Sequence, residues 1–256
     1  MKLFFITALT LMSLHSLACR CIPQPLINSF NSSSFVARVK VLKVIPNASD
    51  KDYHDLDIEV VNLYKGKVVN NILAHTFQRS SCRFEVPVNS IWLVFANFNQ
   101  SGIPTFSYCS SSYQMDRAYD ETADTEITKG RNRRDAMMME TLEFLKTKQN
   151  EEINASGLTL IPKESCILSI DGYKVQKNNV AIFELTINHA LSIKKIEVIQ
   201  NFSNRKLARA VYNCISNSIA IPGSKGQKRD LQKILVFYYL RPYNYGTKSL
   251  ATNTLN

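Results

Sequence analysis

The chain has 256 residues, 31 Lys plus Arg against 21 Asp plus Glu, 45% hydrophobic residues and 10% aromatics. That is enough core-forming material for two modest domains, and it excludes a disordered tail. Eight Gly and eight Pro in this length also exclude a collagen-like or linker-dominated chain.

Lys2 is followed by Leu3-Phe4-Phe5-Ile6 and an apolar stretch to Leu14, closed by Ser16-Leu17-Ala18. A basic start, a short apolar run and a small-residue end have the form of a secretory signal peptide over residues 1–18. The run is too short for a membrane span, and no later segment offers ~18 uninterrupted apolar residues. Cleavage after Ala18 makes Cys19 the mature N-terminus. The expected location is periplasmic, extracellular or outer-envelope associated.

Residues 19–148 carry 16 basic and 14 acidic side chains, net +2, whereas 163–243 carry 13 against 5, net +8. Nucleic acid is a poor match for an exported chain, so the basic segment points to an acidic protein partner or an anionic envelope surface. The bland alternative is a solvated basic face. Six cysteines in an exported chain read as three disulfides with fifteen pairings open, and the count is even only when Cys19 is included. A leader ending directly before Cys also fits a bacterial lipoprotein, in which Cys19 is acylated and five thiols remain. Ser16 stands where such a leader usually carries Leu.

Strand patterns occupy Phe35–Val44, Leu56–Tyr64 and Ser90–Ala96, with shorter ones at Ile72–Phe77 and Thr105–Cys109. Lys65-Gly66-Lys67 and Asn99-Gln100-Ser101-Gly102 supply turns, so this half predicts a small β-barrel or sandwich. Arg131–Lys148 places Met138, Leu142 and Leu145 at helical spacing and predicts an amphipathic helix packed on the barrel. The Met137-Met138-Met139 run is read as core filler rather than a metal-binding surface. Residues 149–162 are polar and end in Ile161-Pro162, a linker by composition. Beyond it, Val180–Ile187 and Ile193–Ile199 form a hairpin around Asn188-His189-Ala190. Asn204–Ser216 then puts Leu207, Val211 and Ile215 on one helix face, capped by Ser203 or Asn204. Leu231–Leu240 is a strongly apolar last strand, giving β-β-α-β over 163–243 and a disordered tail at 244–256. The fold class is mainly β with flanking helices (α+β).

Constellations for catalysis are missing from this sequence. It has no Gly-rich phosphate loop, no H-E-x-x-H helix and no G-x-S-x-G elbow. His54, His75 and His189 are isolated in sequence, where ligand or base work needs partners brought together. The sequence reads as a non-enzyme with no cofactor.

The informative cluster is Cys19-Arg20-Cys21 at the predicted cleavage point. A free α-amino group titrates at about 8, so an appreciable fraction is neutral at neutral pH and its lone pair can ligate zinc. The carbonyl oxygen of the same residue lies one chelate ring away. Together they can bind a catalytic Zn²⁺ in trans and displace the water that a hydrolytic site keeps in its open position. A loose terminus would lose ordering entropy on binding, so the device needs a rigid anchor.

Cys19-Arg20-Cys21-Ile22-Pro23, Phe35–Val44, Leu63-Tyr64-Lys65-Gly66, Ser80-Ser81-Cys82, Trp92-Leu93-Val94-Phe95-Ala96 and Tyr108-Cys109 follow one another in the order of a known pattern. Over residues 19–145 the chain resembles the tissue inhibitors of metalloproteinases and the wider netrin-like modules. The resemblance implies a five-stranded OB-like barrel within residues 19–148, with disulfides Cys19–Cys82 and Cys21–Cys109. It further implies that Cys19 meets a protease zinc, Arg20 enters the S1′ pocket, and Ile22, Ser81 and Cys82 complete the edge. Arg20 departs from the small residue of the vertebrate inhibitors, and a desolvated unpaired Arg is costly in an apolar pocket. The inhibitors' third disulfide lacks a partner, because no cysteine lies between Cys21 and Cys82.

The second half resembles the C-terminal domain of TonB-type proteins in its Val180–Ile187 and Ile193–Ile199 strands, its Leu207-Ala208-Arg209-Ala210-Val211 helix and its Lys233–Leu240 strand. Cys166–Cys214 is then the remaining bridge. The chain lacks that family's Pro-rich spacer, so energy transduction is not implied. Three functional readings follow. The first is an exported protein-binding module that blocks a zinc metalloprotease. The second is an envelope-associated, lipid-anchored or structural interaction module without inhibitory activity. The third is a four-thiolate zinc site at Cys19, Cys21, Cys82 and Cys109. Oligomeric state is left open by all three.

Overall fold

The computed structural model describes residues 21–22, 24–117, 125–149, 151, 154, 158–163, 166, 170, 172–173, 179–221, 231–242 and 249–252. The chain divides into two compact units. The first holds the described residues up to Gln24, Ser34–Leu63 and Lys67–Asp116; the second holds Pro25–Ser33, Tyr64–Gly66 and the described residues from Arg117 onward.

In the first unit, β1 (Phe35–Pro46), β2 (Tyr53–Lys65), β3 (Asn71–His75), β4 (Ile91–Phe98) and β5 (Pro104–Ser107) run in the order β1-β2-β3-β5-β4, and β1 also pairs with β4. The ring is therefore a closed five-stranded barrel, which leaves no bare edge among those strands. The short β6 (Tyr113–Gln114) adds to β4. Alternation explains the interior: Phe35, Ala37, Val39 and Val41 of β1 face inward. They meet Leu56 and Ile58 of β2, Ile72 and Ala74 of β3, Trp92, Val94 and Ala96 of β4, and Phe106 of β5. The β1–β4 register runs from Phe35 opposite Ala96 to Lys40 opposite Ile91. Between β4 and β5, the Asn99 side chain accepts from the Ser101 and Ile103 N–H groups at 3.0 and 2.9 Å. Gly102, at φ 74°, takes the left-handed conformation this tight loop requires.

The second unit opens with α1 (Leu26–Ser32), whose C-terminal carbonyls are capped by a lysine. Lys65 Nζ donates to the carbonyls of Phe30 at 2.8 Å and Asn31 at 3.2 Å, and lies 5.0 Å from the Phe30 ring centre. The main sheet has the order β12-β11-β8-β9, built from β8 (Val180–Asn188), β9 (Ile193–Gln200), β11 (Leu231–Pro242) and β12 (Ser249–Thr252), all antiparallel. On one face Ala181, Phe183, Leu185, Ile234, Val236 and Tyr238 pack with Leu207, Val211 and Ile215 of α3 (Arg205–Ser216). Asn204 caps that helix, its side chain accepting from Lys206 N at 3.0 Å and Leu207 N at 3.2 Å.

The long helix α2 (Thr125–Thr147) corrects the expectation that the Arg131–Lys148 helix packs on the barrel. It packs on β11 and β8: Phe144 meets Phe237 edge-on at 6.1 Å, and Thr141 Oγ1 bonds the Tyr239 hydroxyl at 3.4 Å. Phe237 and Tyr239 point away from the α3 side because strand residues alternate. Continuous apolar runs such as Val180–Phe183 and Ile234–Leu240 need cover on both faces, and α2 supplies the second with Leu142 and Leu145 fully buried.

Two further expectations are corrected. Residues 149–162 are more than a linker: β7 (Thr159–Ile161) pairs with β10 (Ile219–Ile221), and Leu158 and Leu160 enter the core. The Asn154 side chain also clamps Leu235, donating to its carbonyl at 3.1 Å and accepting from its N–H at 2.7 Å. In the segment 244–256, β12 pairs with Tyr239–Pro242 of β11. The β-β-α-β order thus becomes β7-β8-β9-α3-β10-β11-β12. No described helix is long and apolar enough to cross a membrane.

Candidate functional site

The barrel has one unusual pairing, and it positions the cysteines. β3 and β5 are parallel, with Leu73, Ala74 and His75 opposite Thr105, Phe106 and Ser107. Parallel neighbours leave the sheet at the same end, so the loop after β3, which carries Ser81 and Cys82, emerges beside the turn after β5, which carries Tyr108 and Cys109. The Phe84 and Tyr108 rings, 6.3 Å apart, join the two. Cys21 is disulfide-bonded to Cys109 with 5.3 Å between Cα atoms, which ties the start of the described chain to the same end. Cys82 is disulfide-bonded. The expected Cys19–Cys82 pairing and the roles of Cys19 and Arg20 fall on Cys19 and Arg20, outside the described residues.

The Cys109 turn is held by serines. Ser110 Oγ donates to Ser107 O at 2.7 Å, and Ser112 Oγ donates to Phe95 O at 3.1 Å while accepting from Phe95 N at 2.8 Å. The two hydroxyls lie 2.9 Å apart. Ser107, Ser110 and Ser112 thus fix the strand exit that anchors Cys21.

The Cys82 loop is held by contacts the sequence did not reveal. His75 is stacked between Tyr53 at 4.3 Å and Phe77 at 3.8 Å, with Phe77 in the left-handed region at φ 50°. A ring at this φ is strained, and the stack supplies the compensating contact. Asp52 receives Arg79 Nη2 at 2.6 Å, which holds its carboxyl below the usual range against an opposing effect of burial. Thr76 Oγ1 accepts from Gln78 at 2.9 Å and lies 2.9 Å from His54 Nδ1. Ser80 Oγ accepts from Cys82 N at 3.0 Å. The signal for this scaffold is absent from local sequence, since Asp52 and Arg79 are 27 residues apart.

Ile22 is 80% exposed, Ser81 is exposed and Cys82 half-buried, so the edge is open to a partner. The disulfide takes the Cys21 and Cys109 thiols out of any four-thiolate zinc site. Among the described residues no group of three or more His, Cys, Asp or Glu could hold a metal ion. In the second unit Cys166 and Cys214 are disulfide-bonded, with Cα atoms 5.2 Å apart, and Cys214 Sγ lies 3.9 Å from the Tyr238 hydroxyl. These disulfides fit an oxidising environment. No protein-family model matches this sequence, and no curated protein is significantly similar to it.

Proposed function

We propose that this chain is an exported, non-enzymatic binding protein whose first unit is a netrin-like, OB-type barrel that blocks a zinc metalloprotease through its mature N-terminus. The observation that carries the reading is the parallel β3–β5 pairing: it brings the Cys82 loop and the Cys21–Cys109 bridge to one end of the barrel. A terminus anchored there is stiff, and stiffness lowers the entropic cost of inserting it into a cleft. Cys19 offers its α-amine and carbonyl oxygen to the protease zinc, and Arg20 selects for an S1′ pocket that can pair a guanidinium. The second unit belongs to the same proposal as a TonB-C-like interaction module, supported by the order β8, β9, α3, β11.

The test uses protein whose first residue is Cys19, assayed against a panel of zinc endopeptidases. Inhibition should appear with the free terminus and be lost when a single Ala precedes Cys19 or when the amine is acetylated. Equal inhibition by the Ala-extended protein would sink the chelation mechanism, and no inhibition by either form, with diacylglycerol found on Cys19 of the native protein, supports the envelope-anchored reading instead.

A further inference from the structure

Among the described residues, the second unit carries an apolar face that is left exposed. β7 and β10 form a two-stranded ribbon in which Ile219 lies opposite Ile161 and Ala220 opposite Leu160. Leu160 and Ala220 are the inner pair, buried in the core. Alternation then puts Ile161, Ile219 and Ile221 together on the outer face, where they are 47%, 58% and 41% exposed. An open groove of about 440 Å³ adjoins it, lined by Leu191 and Ile193 of the β8–β9 hairpin and by Ser216, Ser218 and Ile219 where α3 runs into β10. Three β-branched side chains grouped in this way are more than scattered surface apolarity.

The outer side of the neighbouring helix is cationic. α3 packs on the same core as Leu160 and Ala220 of the ribbon, and the side it turns away from that core displays Arg205, Lys206, Arg209 and Tyr212, all exposed. Lys163 follows Ile161-Pro162, and Lys194 follows Ile193, both exposed. The carboxylates described on β8 and β9 are engaged: Glu184 pairs with Lys233 and Glu197 with Lys195. Residues 163–243 carry 13 basic against 5 acidic side chains.

We infer that this face, the outer Ile161–Ile219–Ile221 ribbon with the basic side of α3, docks on an anionic lipid bilayer. The isoleucines and Tyr212 enter the headgroup boundary, and the arginines and lysines meet lipid phosphates, the division of labour of interfacial protein surfaces. A purely charged acidic polypeptide would use the cations and leave the isoleucines in water. The inference concerns the second unit and stands apart from the protease reading.

The test is co-sedimentation of the full chain with vesicles of phosphatidylcholine alone or containing roughly one-third phosphatidylglycerol. Binding should require the anionic lipid and fall with salt. Arg205→Gln/Arg209→Gln should weaken it about thirtyfold, from roughly one unit of lipid attraction per cation. Ile161→Ser/Ile219→Ser should weaken it at least about tenfold, by loss of buried apolar area, with an unchanged melting temperature because both side chains project outward. Absence of binding to anionic vesicles overturns the inference, as does wild-type binding by the isoleucine variant. Retention on soluble polyglutamate without vesicle binding would assign the face to an acidic protein.

Discussion

Replacing Cys21 and Cys109 together by Ser is the perturbation whose effect on the N-terminal edge is most directly calculable. The bridge closes a sequence separation of 88 residues, for which the chain-entropy relation gives about 4.6 kcal/mol at 25 °C when the bridge stands alone, and about 3.6 kcal/mol when the proposed Cys19–Cys82 bridge shortens the added loop to about 30 residues. Cys109 is exposed and Cys21 half-buried, so the substitution opens no core cavity and loop closure dominates. The chain has a single tryptophan. Trp92 is 6% exposed inside the barrel, with its Nε1 donating to Ser90 Oγ at 2.9 Å. Urea unfolding followed by its fluorescence therefore reports the first unit alone. With a slope of about 1 kcal/mol per molar urea for a unit of this size, the midpoint should fall by several molar. A loss of about 2–5 kcal/mol agrees with the reasoning. A loss below about 1 kcal/mol would refute it, because the bridge would then constrain little of the unfolded chain.

Three other outcomes follow from the packing. Leu142→Ala, at a fully buried position of α2, should destabilise the second unit by about 3 kcal/mol, read as faster amide exchange in β8 and β11; unchanged exchange there contradicts the placement of α2 on that sheet. Asn204→Ala removes the acceptor for two N–H groups of α3 and should cost about 1 kcal/mol in denaturant unfolding, whereas a cost near zero would mean the cap is dispensable. Burial pushes the Tyr238 hydroxyl up to about 12 and Tyr239 higher still, the latter against a smaller opposing bond from Thr141. A raised folded-state value means that the stabilisation is complete below the ordinary tyrosine range near about 10 and is lost as pH rises through the folded-state values. Tyrosinate absorbance and unfolding should therefore rise together above about pH 10, and early ionisation of both groups in the folded protein would contradict their burial.

Elements with strong periodicity were legible from the chain itself. The alternation of Phe35, Ala37, Val39 and Val41 marks β1, and Leu207, Val211 and Ile215 mark α3, whose cap the sequence left between Ser203 and Asn204 and the structure places at Asn204. β7 and β10 were not legible, because three residues are too few to display a period and their pairing spans some 60 positions. The apolar spacing of α2 indicated burial but not the surface that buries it; only the two-sided apolarity of β8 and β11, once they pair, decides that. The same limit applies at the candidate edge. Cys21, Cys82 and Cys109 stand out in the sequence, whereas the Tyr53–His75–Phe77 stack and the Asp52–Arg79 pair that hold the Cys82 loop depend on strand register. Closure of the barrel by the parallel β3–β5 contact is likewise a non-local event.

The claim at the centre of this account is that the mature chain starts at Cys19 with its amine free and is clamped at the barrel end. Mass-spectrometric mapping of the N-terminus and disulfides, on protein exported by its native host and never reduced, tests that claim most directly. The account predicts an unmodified N-terminal Cys19 in a peptide linked to Cys82, beside the Cys21–Cys109 bridge. A lipid-modified Cys19, or a mature chain that begins at another residue, would contradict it.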